Sequence, residues 1–295
     1  MTVNLLFHVL SILAPVFIIS SIGYFWSIHR GSVNTAQITD IVALVGAPCL
    51  IFYTLSNLNI SKTNLHEMFF AASLIVIVTL VISVVVLKIF NLPWKVFTPP
   101  LTFTNSGNVG ISVCLFAFGQ KGLELGVVYF AVIATIHFTI GICIWSESIK
   151  PKNIFKTPLI YSVILGLFVL NSNIYIPEFI FKTTKILGGL TIPLMLFSLG
   201  MSLADLRIIP SKKIMVLTCS RFLIGICVTL TLTTLLNFNN EVKNILLLQS
   251  VLPIAVFNYL FAYRYNKHPD EIASLILSSV IFSMLALPLM LTIIL

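Results

Sequence analysis

Apolar runs of about 20 residues recur along nearly the whole chain, and they limit what it can fold into. A helix of about 20 mostly apolar residues is long enough to cross a bilayer core of roughly 30 Å. Only 9% of the residues are charged, whereas a soluble domain has roughly a quarter. We predict ten spans joined by short connections, at residues 3–26, 36–57, 66–90, 97–118, 122–146, 157–172, 178–203, 212–236, 242–263 and 271–294. The sequence therefore predicts an all-α membrane protein, and the first span is too long for a signal peptide.

The net charge of +8 does not indicate a nucleic-acid partner, because the basic residues are dispersed among the predicted loops. Loops after odd-numbered spans hold 11 lysines and arginines, and loops after even-numbered spans hold 5. Cytoplasmic loops carry the excess of basic residues. We therefore expect the loop Lys150–Lys156 to be cytoplasmic and both termini to lie outside the cytoplasm.

The sequence shows no spacing of residues that is typical of a metal, disulfide or catalytic site. All five cysteines (Cys49, Cys114, Cys143, Cys219, Cys227) fall within predicted spans and none forms a C-x-x-C pair. The histidines show no H-E-x-x-H spacing. We expect no cofactor and no metal. A membrane-embedded enzyme would need a nucleophile with a base, paired aspartates or a metal cluster, and no such group falls at a plausible depth. A receptor or assembly factor stays open as an alternative.

The chain repeats itself at an offset of about 145 residues. The segment "LVGAPCLIFYTLSNL" aligns without a gap on "GLTIPLMLFSLGMSL", which places Pro48 on Pro193. After spans four and nine, Lys121 similarly corresponds to Lys267. We predict two repeats of five spans, residues 1–149 and 150–295. Because five is odd, the second repeat enters the membrane from the opposite side. Inverted repeats are typical of secondary transporters.

Spans four and nine carry residues that interrupt a helix at equivalent positions. Span four contains "TNSGNVGIS", in which each glycine costs about 1 kcal/mol relative to alanine in a helix. The repeat offset places Gly107 on Pro253 of span nine, and proline removes a backbone donor. An unwound backbone at membrane depth is tolerated where protein or a water-filled cavity satisfies it. The alternative interpretation is packing, because glycine and proline are common in transmembrane helices.

If both helices break near the midplane and cross, two half-helix N-termini converge there. Their free N–H groups and positive dipole ends can bind an anion without a buried lysine or arginine. Asparagine amides nearby can donate to a carboxylate. The predicted substrate-binding residues are Asn105, Gly107, Asn108, Gly110, Pro253 and Asn258.

Two other intramembrane residues are candidates for coupling or gating. His137 lies midway along span five, and ionisable residues in a membrane are functional candidates; a neutral histidine bonded between helices is the alternative. Arg221 lies about two turns into span eight, where it either attracts the anion or snorkels to the interface, which we favour. No aspartate or glutamate falls at mid-depth, so we expect uncoupled transport, or weak coupling through His137 or backbone carbonyls.

At "TNSGNVGISVCLFAFG" and "QSVLPIAVFNYLFAYRYNKHPDEIASLILSSVIFSMLALPLML" the chain resembles the auxin efflux carrier family of bacterial permeases and plant carriers. These segments match an N-x-G-N-x-G-like break and an L-P-x-x-V-F…Y-N-x-H-P-like segment. Asn105 and Asn108 match the asparagines of the family's fourth span, and Pro253 matches its ninth-span proline. Ser112 is a departure, because many relatives have a proline shortly after the second glycine.

The resemblance implies a fold like that of the sodium–bile acid symporters, with two crossed discontinuous helices. Spans 1, 2, 6 and 7 would form a scaffold, through which a homodimer would assemble. Spans 3–5 and 8–10 would form a transport unit that moves as an elevator. The implied substrate is a small organic acid, malate-like or auxin-like. A sodium- or proton-coupled organic anion symporter is the alternative.

Overall fold

The computed structural model of the protein describes residues 2–30, 35–147, 158–172, 174–206 and 211–295, and almost all of these residues are helical. The all-α prediction is confirmed. The helices are α1 (Thr2–Arg30), α2 (Thr35–Ile41), α3 (Ala47–Ser56), α4 (Lys62–Ile89), α5 (Trp94–Thr102), α6 (Ser112–Ile136), α7 (Ile142–Ser146), α8 (Pro158–Asn171), α9 (Glu178–Gly189), α10 (Thr191–Asp205), α11 (Lys212–Leu235), α12 (Asn240–Ser250), α13 (Phe257–Arg264) and α14 (Pro269–Ile294). Short π-helical segments, Val42–Gly46, Ser106–Ile111 and His137–Gly141, precede α3, α6 and α7.

Six helical stretches of the described residues are long and apolar enough to cross a membrane: Val9–Arg30, Lys62–Ile89, Ser106–Ser146, Glu178–Ala204, Lys212–Leu235 and Pro269–Ile294. Two shorter apolar stretches, Val42–Ser56 and Pro158–Asn171, accompany them. The predicted spans at 97–118 and 242–263 are divided into shorter helical pieces. The basic segment 150–156, on which the orientation prediction partly depends, lies outside the described residues.

Helix α4 illustrates how the sequence separates a lipid-facing side from a protein-facing side. Large apolar residues at 70, 77, 81 and 85 are exposed, and their spacing of seven and four residues places them on one face. Met68, Ala71, Ala72, Ile75 and Val76 are buried on the other face. Exposed apolar area of this extent is unfavourable in water, at about 25 cal/mol per Å². The outer face is therefore suited to contact with lipid.

The helices pack in two groups. In the first group, α1 packs along α10, and α3 packs against α8 and α9. In the second group, α4 packs against α5, α6 and α11, while α11 packs against α12 and α14. The groups meet where α1 contacts α6 and α14, and where α10 contacts the π-helical segment Ser106–Ile111.

Gly119 separates two helical pieces of α6 at the boundary between predicted spans four and five. Its backbone has φ 62° and ψ −147°, a conformation that essentially only glycine adopts at low cost. A Cβ there would meet nothing within 4 Å. The conformational requirement, rather than a lack of space, therefore keeps glycine at this position.

We expect Gly119→Ala to destabilise the protein by about 1–3 kcal/mol, because the alanine is forced into a strained conformation. The thermal midpoint of purified protein measures this effect. Gly189→Ala is the matched control, since its Cβ also meets nothing within 4 Å but its backbone is helical. Equal midpoints for the two variants would contradict the assignment of strain to Gly119.

Candidate functional site

The first interruption lies between α5 and the π-helical segment Ser106–Ile111. Helix α5 ends at Thr102, and Phe103 is extended with φ −91° and ψ 113°. Helical structure begins again at Ser106. The sequence "TNSGNVG" explains the interruption, because asparagine and serine compete for backbone hydrogen bonds and glycine weakens a helix.

The second interruption lies between α12, which ends at Ser250, and α13, which begins at Phe257. Pro253 is inside this gap, where it has no N–H to offer a helix. The remaining backbone groups find partners elsewhere: the Ile254 N–H donates to Ser279 Oγ at 2.9 Å, and Ser283 Oγ donates to the Val251 carbonyl at 2.8 Å. Both hydroxyls belong to α14, which therefore holds the non-helical backbone.

The two interrupted segments pair with each other in the interior of the protein. Thr104 and Ile254 form an antiparallel bridge. The Asn105 N–H donates to the Pro253 carbonyl at 2.8 Å, and the Ala255 N–H donates to the Phe103 carbonyl at 3.1 Å. We call residues 103–105 and 253–255 the paired segments. Their mutual hydrogen bonds satisfy backbone groups that lipid would leave without partners.

Two of the predicted asparagines lie buried at the paired segments with unused hydrogen-bonding atoms. Asn105 is 5% exposed and its Nδ2 has no partner. Asn258 is fully buried: its Nδ2 donates to the Ala255 carbonyl at 3.0 Å, while its Oδ1 has no partner. A buried amide atom without a partner costs about 1–3 kcal/mol. These atoms are therefore available to a polar ligand.

The remaining predicted binding residues of span four, Gly107, Asn108 and Gly110, lie in the π-helical segment Ser106–Ile111, directly after the first interruption. Asn108 is half-buried, and its carbonyl accepts a hydrogen bond from Ser112 Oγ at 3.0 Å. A Cβ on Gly107 would lie 2.9 Å from the Phe130 ring, and a Cβ on Gly110 would lie 2.6 Å from Gln249 Oε1. Both glycines therefore allow the turn to approach its neighbours closely.

His137 lies in an aromatic environment behind the first paired segment. Its ring stacks on Phe103 with centroids 4.1 Å apart, and Phe261 meets it edge-on at 5.5 Å. The imidazole is buried; its Nε2 makes no hydrogen bond of ordinary geometry, and its polar neighbour is the Asn258 side chain. The contacts connect His137 to both interrupted helices through Phe103 and α13.

Arg221 does not snorkel, and our preferred interpretation of this residue was wrong. The residue is only 1% exposed, and its Nη1 donates to the Ser250 carbonyl at 3.0 Å. Its guanidinium points into the protein because α4, α6 and α12 surround this side of α11. A position two turns into a span indicates depth but not the face of the helix.

An apolar cavity of about 60 Å³ adjoins the paired segments. Val109 and Pro253 line it from the side of the interruptions, and Leu13, Leu199 and Leu287 line it from α1, α10 and α14. The cavity therefore lies where the two groups of helices meet. Its lining suits the apolar part of a small ligand.

Residues that the sequence analysis did not single out also contact the site. Gln249 is fully buried, its Oε1 has no partner, and its Nε2 lies 3.4 Å from Cys114 Sγ. Gln249 is the second-to-last residue of α12. A polar side chain at the point where a predicted span is interrupted was the sequence feature that could have identified it. Thr104 and Tyr129 line a second cavity with Arg221.

An ion cluster lies outside the membrane-spanning part, at the end of α7. Lys267 Nζ lies 2.5 Å and Lys95 Nζ lies 2.6 Å from the carboxylate oxygens of Glu147. The hydrogen bond from Lys267, followed by that from Lys95, lowers the pKa of Glu147 from its ordinary value of 4.5 to about 2. Glu147 thus joins the first turn of α5 to the loop that follows α13.

We expect Glu147 to stabilise the protein above pH 4.5 and to lose this contribution as the pH falls toward about 2, because the folded state holds the carboxylate ionised longer than the unfolded state. The difference in thermal midpoint between wild type and Glu147→Gln, followed against pH, measures this loss. Glu178→Gln is the control, since Glu178 pairs with Lys182 while 75% exposed. A difference that does not change between pH 5 and pH 2.5 would contradict the expectation.

Comparison with known proteins places the chain among membrane transporters. A family profile described as "Membrane transport protein" matches residues 8–153 and 145–291. The uncharacterized transporter MJ1031 of Methanocaldococcus jannaschii is 27% identical over 93% of this chain and 95% of its own length. Auxin efflux carrier component 1 of Arabidopsis thaliana and probable auxin efflux carrier component 1c of Oryza sativa are each 29% identical over 50% of this chain.

The matches to the two plant carriers cover 23% and 24% of those proteins' lengths. The family match, in contrast, spans almost the entire chain. The chain therefore belongs to the membrane transport protein family that includes the auxin efflux carriers. The resemblance noted in the sequence is confirmed, and the relatives favour a transporter over a membrane-embedded enzyme.

Proposed function

We propose that the protein is a secondary transporter of a small organic anion, a mono- or dicarboxylate similar to malate or auxin. The anion binds at the paired segments, where broken spans four and nine cross. The observation that carries this proposal is the pairing of the two interruptions through Asn105 and Pro253. This pairing brings the N-terminus of the half-helix that begins at Ser106 close to the N-terminus of α13 inside the protein.

The chemistry of the paired segments favours an anionic ligand. The first N–H groups of a helix have no partner within the helix, and those of Ser106, Gly107 and Asn108 open the first half-helix. Helix N-termini carry a partial positive charge of about half an elementary charge. The unused Nδ2 of Asn105 adds a donor. A carboxylate would therefore find donors here, and its apolar part would face the 60 Å³ cavity.

We infer ten spans in two inverted repeats, residues 1–149 and 150–295. Two ion pairs support the inversion. Lys121, which follows the first interrupted span, contacts Glu241 in the first turn of α12 at 2.9 Å. Lys267, which follows the second interrupted span, shares Glu147 with Lys95 in the first turn of α5. The end of each interrupted span therefore lies near the start of the other, as expected if the two run in opposite directions.

The packing of the helices supports an elevator mechanism. Spans 1, 2, 6 and 7 correspond to the group containing α1, α3, α8 and α10, and we propose that they form the scaffold. Spans 3–5 and 8–10 correspond to the group around the paired segments and would move as the transport unit. We propose a homodimer through the scaffold and a bacterial plasma membrane location with both termini outside the cytoplasm.

Counterflow in liposomes tests the proposal. Purified protein is reconstituted into liposomes loaded with unlabelled malate, and uptake of external labelled malate is followed; succinate and indole-3-acetate are tested in parallel. We expect transient accumulation of label for at least one of these acids, and none in protein-free liposomes. Absence of counterflow for the whole panel would contradict the proposal.

Replacement of sodium by choline at fixed pH and membrane potential tests coupling in the same liposomes. We expect uptake to continue, because no aspartate or glutamate falls at mid-depth in the predicted spans. Abolition of uptake without sodium would instead support the sodium-coupled symporter. Dependence on a pH gradient that disappears in His137→Gln would support proton coupling through this residue.

A further inference from the structure

Arg221 is a buried cation whose hydrogen-bonding capacity is mostly unused. Arg221 is 1% exposed, and its Nη1 donates one hydrogen bond, to the Ser250 carbonyl. Nε and Nη2 are buried without a partner. None of the ion pairs among the described residues includes Arg221.

The one acceptor that Arg221 does contact does not neutralise it. Ser250 is the last residue of α12, so its carbonyl belongs to the negative end of the helix dipole, roughly half an elementary charge. Phe222 lies beneath the guanidinium, 4.9 Å from its ring centroid. A buried charge costs much free energy unless it is paired and hydrogen-bonded. The site is therefore short of negative charge.

A small cavity lies beside the guanidinium. It has a volume of about 20 Å³ and is lined by Arg221, Thr104, Tyr129 and Ser250, with Thr79 and Thr229 on its walls. Thr104 Oγ1 is buried and makes no hydrogen bond of ordinary geometry, and the Tyr129 side chain interacts with both Thr104 and Arg221. The polar side chains around the cavity are thus the Arg221 guanidinium and several hydroxyls, with no carboxylate among the described residues that line it.

The size of the cavity limits what it holds. Room of about 10–15 Å³ is enough for one water molecule, so 20 Å³ admits one particle of about that size. A dicarboxylate, or any acid with several carbon atoms, does not fit. A water molecule would fit, but it would leave the positive charge uncompensated.

We propose that this cavity binds a small inorganic anion of halide size, held by Arg221 Nε and Nη2 and by the Thr104 hydroxyl. The site is separate from the organic anion site, although it adjoins it through Thr104, which forms the bridge to Ile254. The bound anion joins α11, α12 and the first paired segment. It therefore stabilises the arrangement of the interrupted helices.

The thermal midpoint of purified, detergent-solubilised protein in sodium chloride, compared with sodium gluconate at equal ionic strength, tests this proposal. Binding to the folded state alone raises the midpoint with ligand concentration. We expect a saturating rise of about 3–8 °C with chloride, a similar rise with bromide, and none with gluconate. Equal midpoints in chloride and gluconate would overturn the proposal.

Variants locate the effect. Thr104→Val keeps the shape but removes one donor, so we expect the chloride concentration for half-maximal stabilisation to rise about tenfold, as for loss of one hydrogen bond to an ion. Thr234→Val on α11 is the matched control, because its exposed hydroxyl bonds only to carbonyls of its own helix. Arg221→Met should abolish the chloride effect if it folds. An unchanged chloride response in Thr104→Val would overturn the assignment.

A chloride titration that starts from gluconate buffer, with and without malate, tests whether the inorganic anion and the organic anion occupy the same site. We expect chloride to stabilise the protein equally with and without saturating malate, because the two sites are separate. Competition between malate and chloride would place Arg221 in the substrate site and overturn the proposal. The chloride titration without malate tests the inorganic anion site by itself, so its failure is distinguishable from a failure of malate counterflow.

Discussion

Replacement of both Asn105 and Asn108 by alanine is expected to lower malate counterflow at least 100-fold while leaving the amount of folded protein near that of wild type. Each hydrogen bond to a charged group contributes about 1.5–3 kcal/mol, so two lost amides cost at least 3 kcal/mol, or more than a factor of 100 in affinity. The Asn105 side chain has an unused Nδ2 in the free protein. Its removal therefore sacrifices no internal bond made by this atom.

Initial rates of counterflow over a range of malate concentrations measure the effect. Asn171→Ala is the control, because Asn171 is exposed and its Nδ2 donates to the Leu167 carbonyl of its own helix. Wild-type counterflow in the double variant would show that the paired segments are not the binding site. Loss of folded protein would be visible in the size-exclusion elution profile. This measurement separates a folding defect from a binding defect.

Gly200→Ala is expected to destabilise the protein by about 3 kcal/mol, at the upper end for an overpacked interior. A Cβ at this position would lie 1.8 Å from the Ser20 carbonyl oxygen and 2.8 Å from the Tyr24 nitrogen. Both are backbone atoms, so neither can turn aside as a side chain would. Helices α1 and α10 must separate to admit the methyl group, which disrupts the packing of the proposed scaffold.

The thermal midpoint and the yield of monodisperse protein measure this change, and we expect the midpoint to fall by about 10 °C. Gly189→Ala serves as the control, because a Cβ there meets nothing within 4 Å. Gly23 has the reciprocal contact, with its Cβ position 2.1 Å from the Phe197 carbonyl oxygen, so Gly23→Ala should behave like Gly200→Ala. Midpoints near that of wild type in both would contradict the close approach of α1 and α10.

The sequence predicted the helical class and the places where helices end because those features are local. Apolar runs of bilayer length predict helices whatever surrounds them. The glycines and asparagines around Gly107, and Pro253, disfavour a helix through their own backbone chemistry. Helices α5 and α12 do end just before these residues. The alignment of Gly107 with Pro253 by the repeat offset concerns equivalence between the two repeats and stays a prediction.

Other parts of the site could not be predicted because they depend on which helix faces meet. Arg221 is at a depth typical of a snorkelling side chain, and its burial follows only from the packing of α4 and α12 against α11. Glu124 is likewise buried, and it accepts hydrogen bonds from the Asn59 and Ile60 N–H groups at 2.8 and 3.1 Å. Glu124 is about 65 residues away from Asn59 and Ile60 in the sequence, so no local pattern predicts this contact.

The central claim is that an organic anion binds at the paired segments. A cryo-electron microscopy map of the protein with the carboxylate that raises its thermal midpoint most tests this claim directly. We predict density for the carboxylate within hydrogen-bonding distance of the Ser106–Asn108 backbone or of the Asn105 amide. Ligand density at another location, with the paired segments empty, would contradict the account.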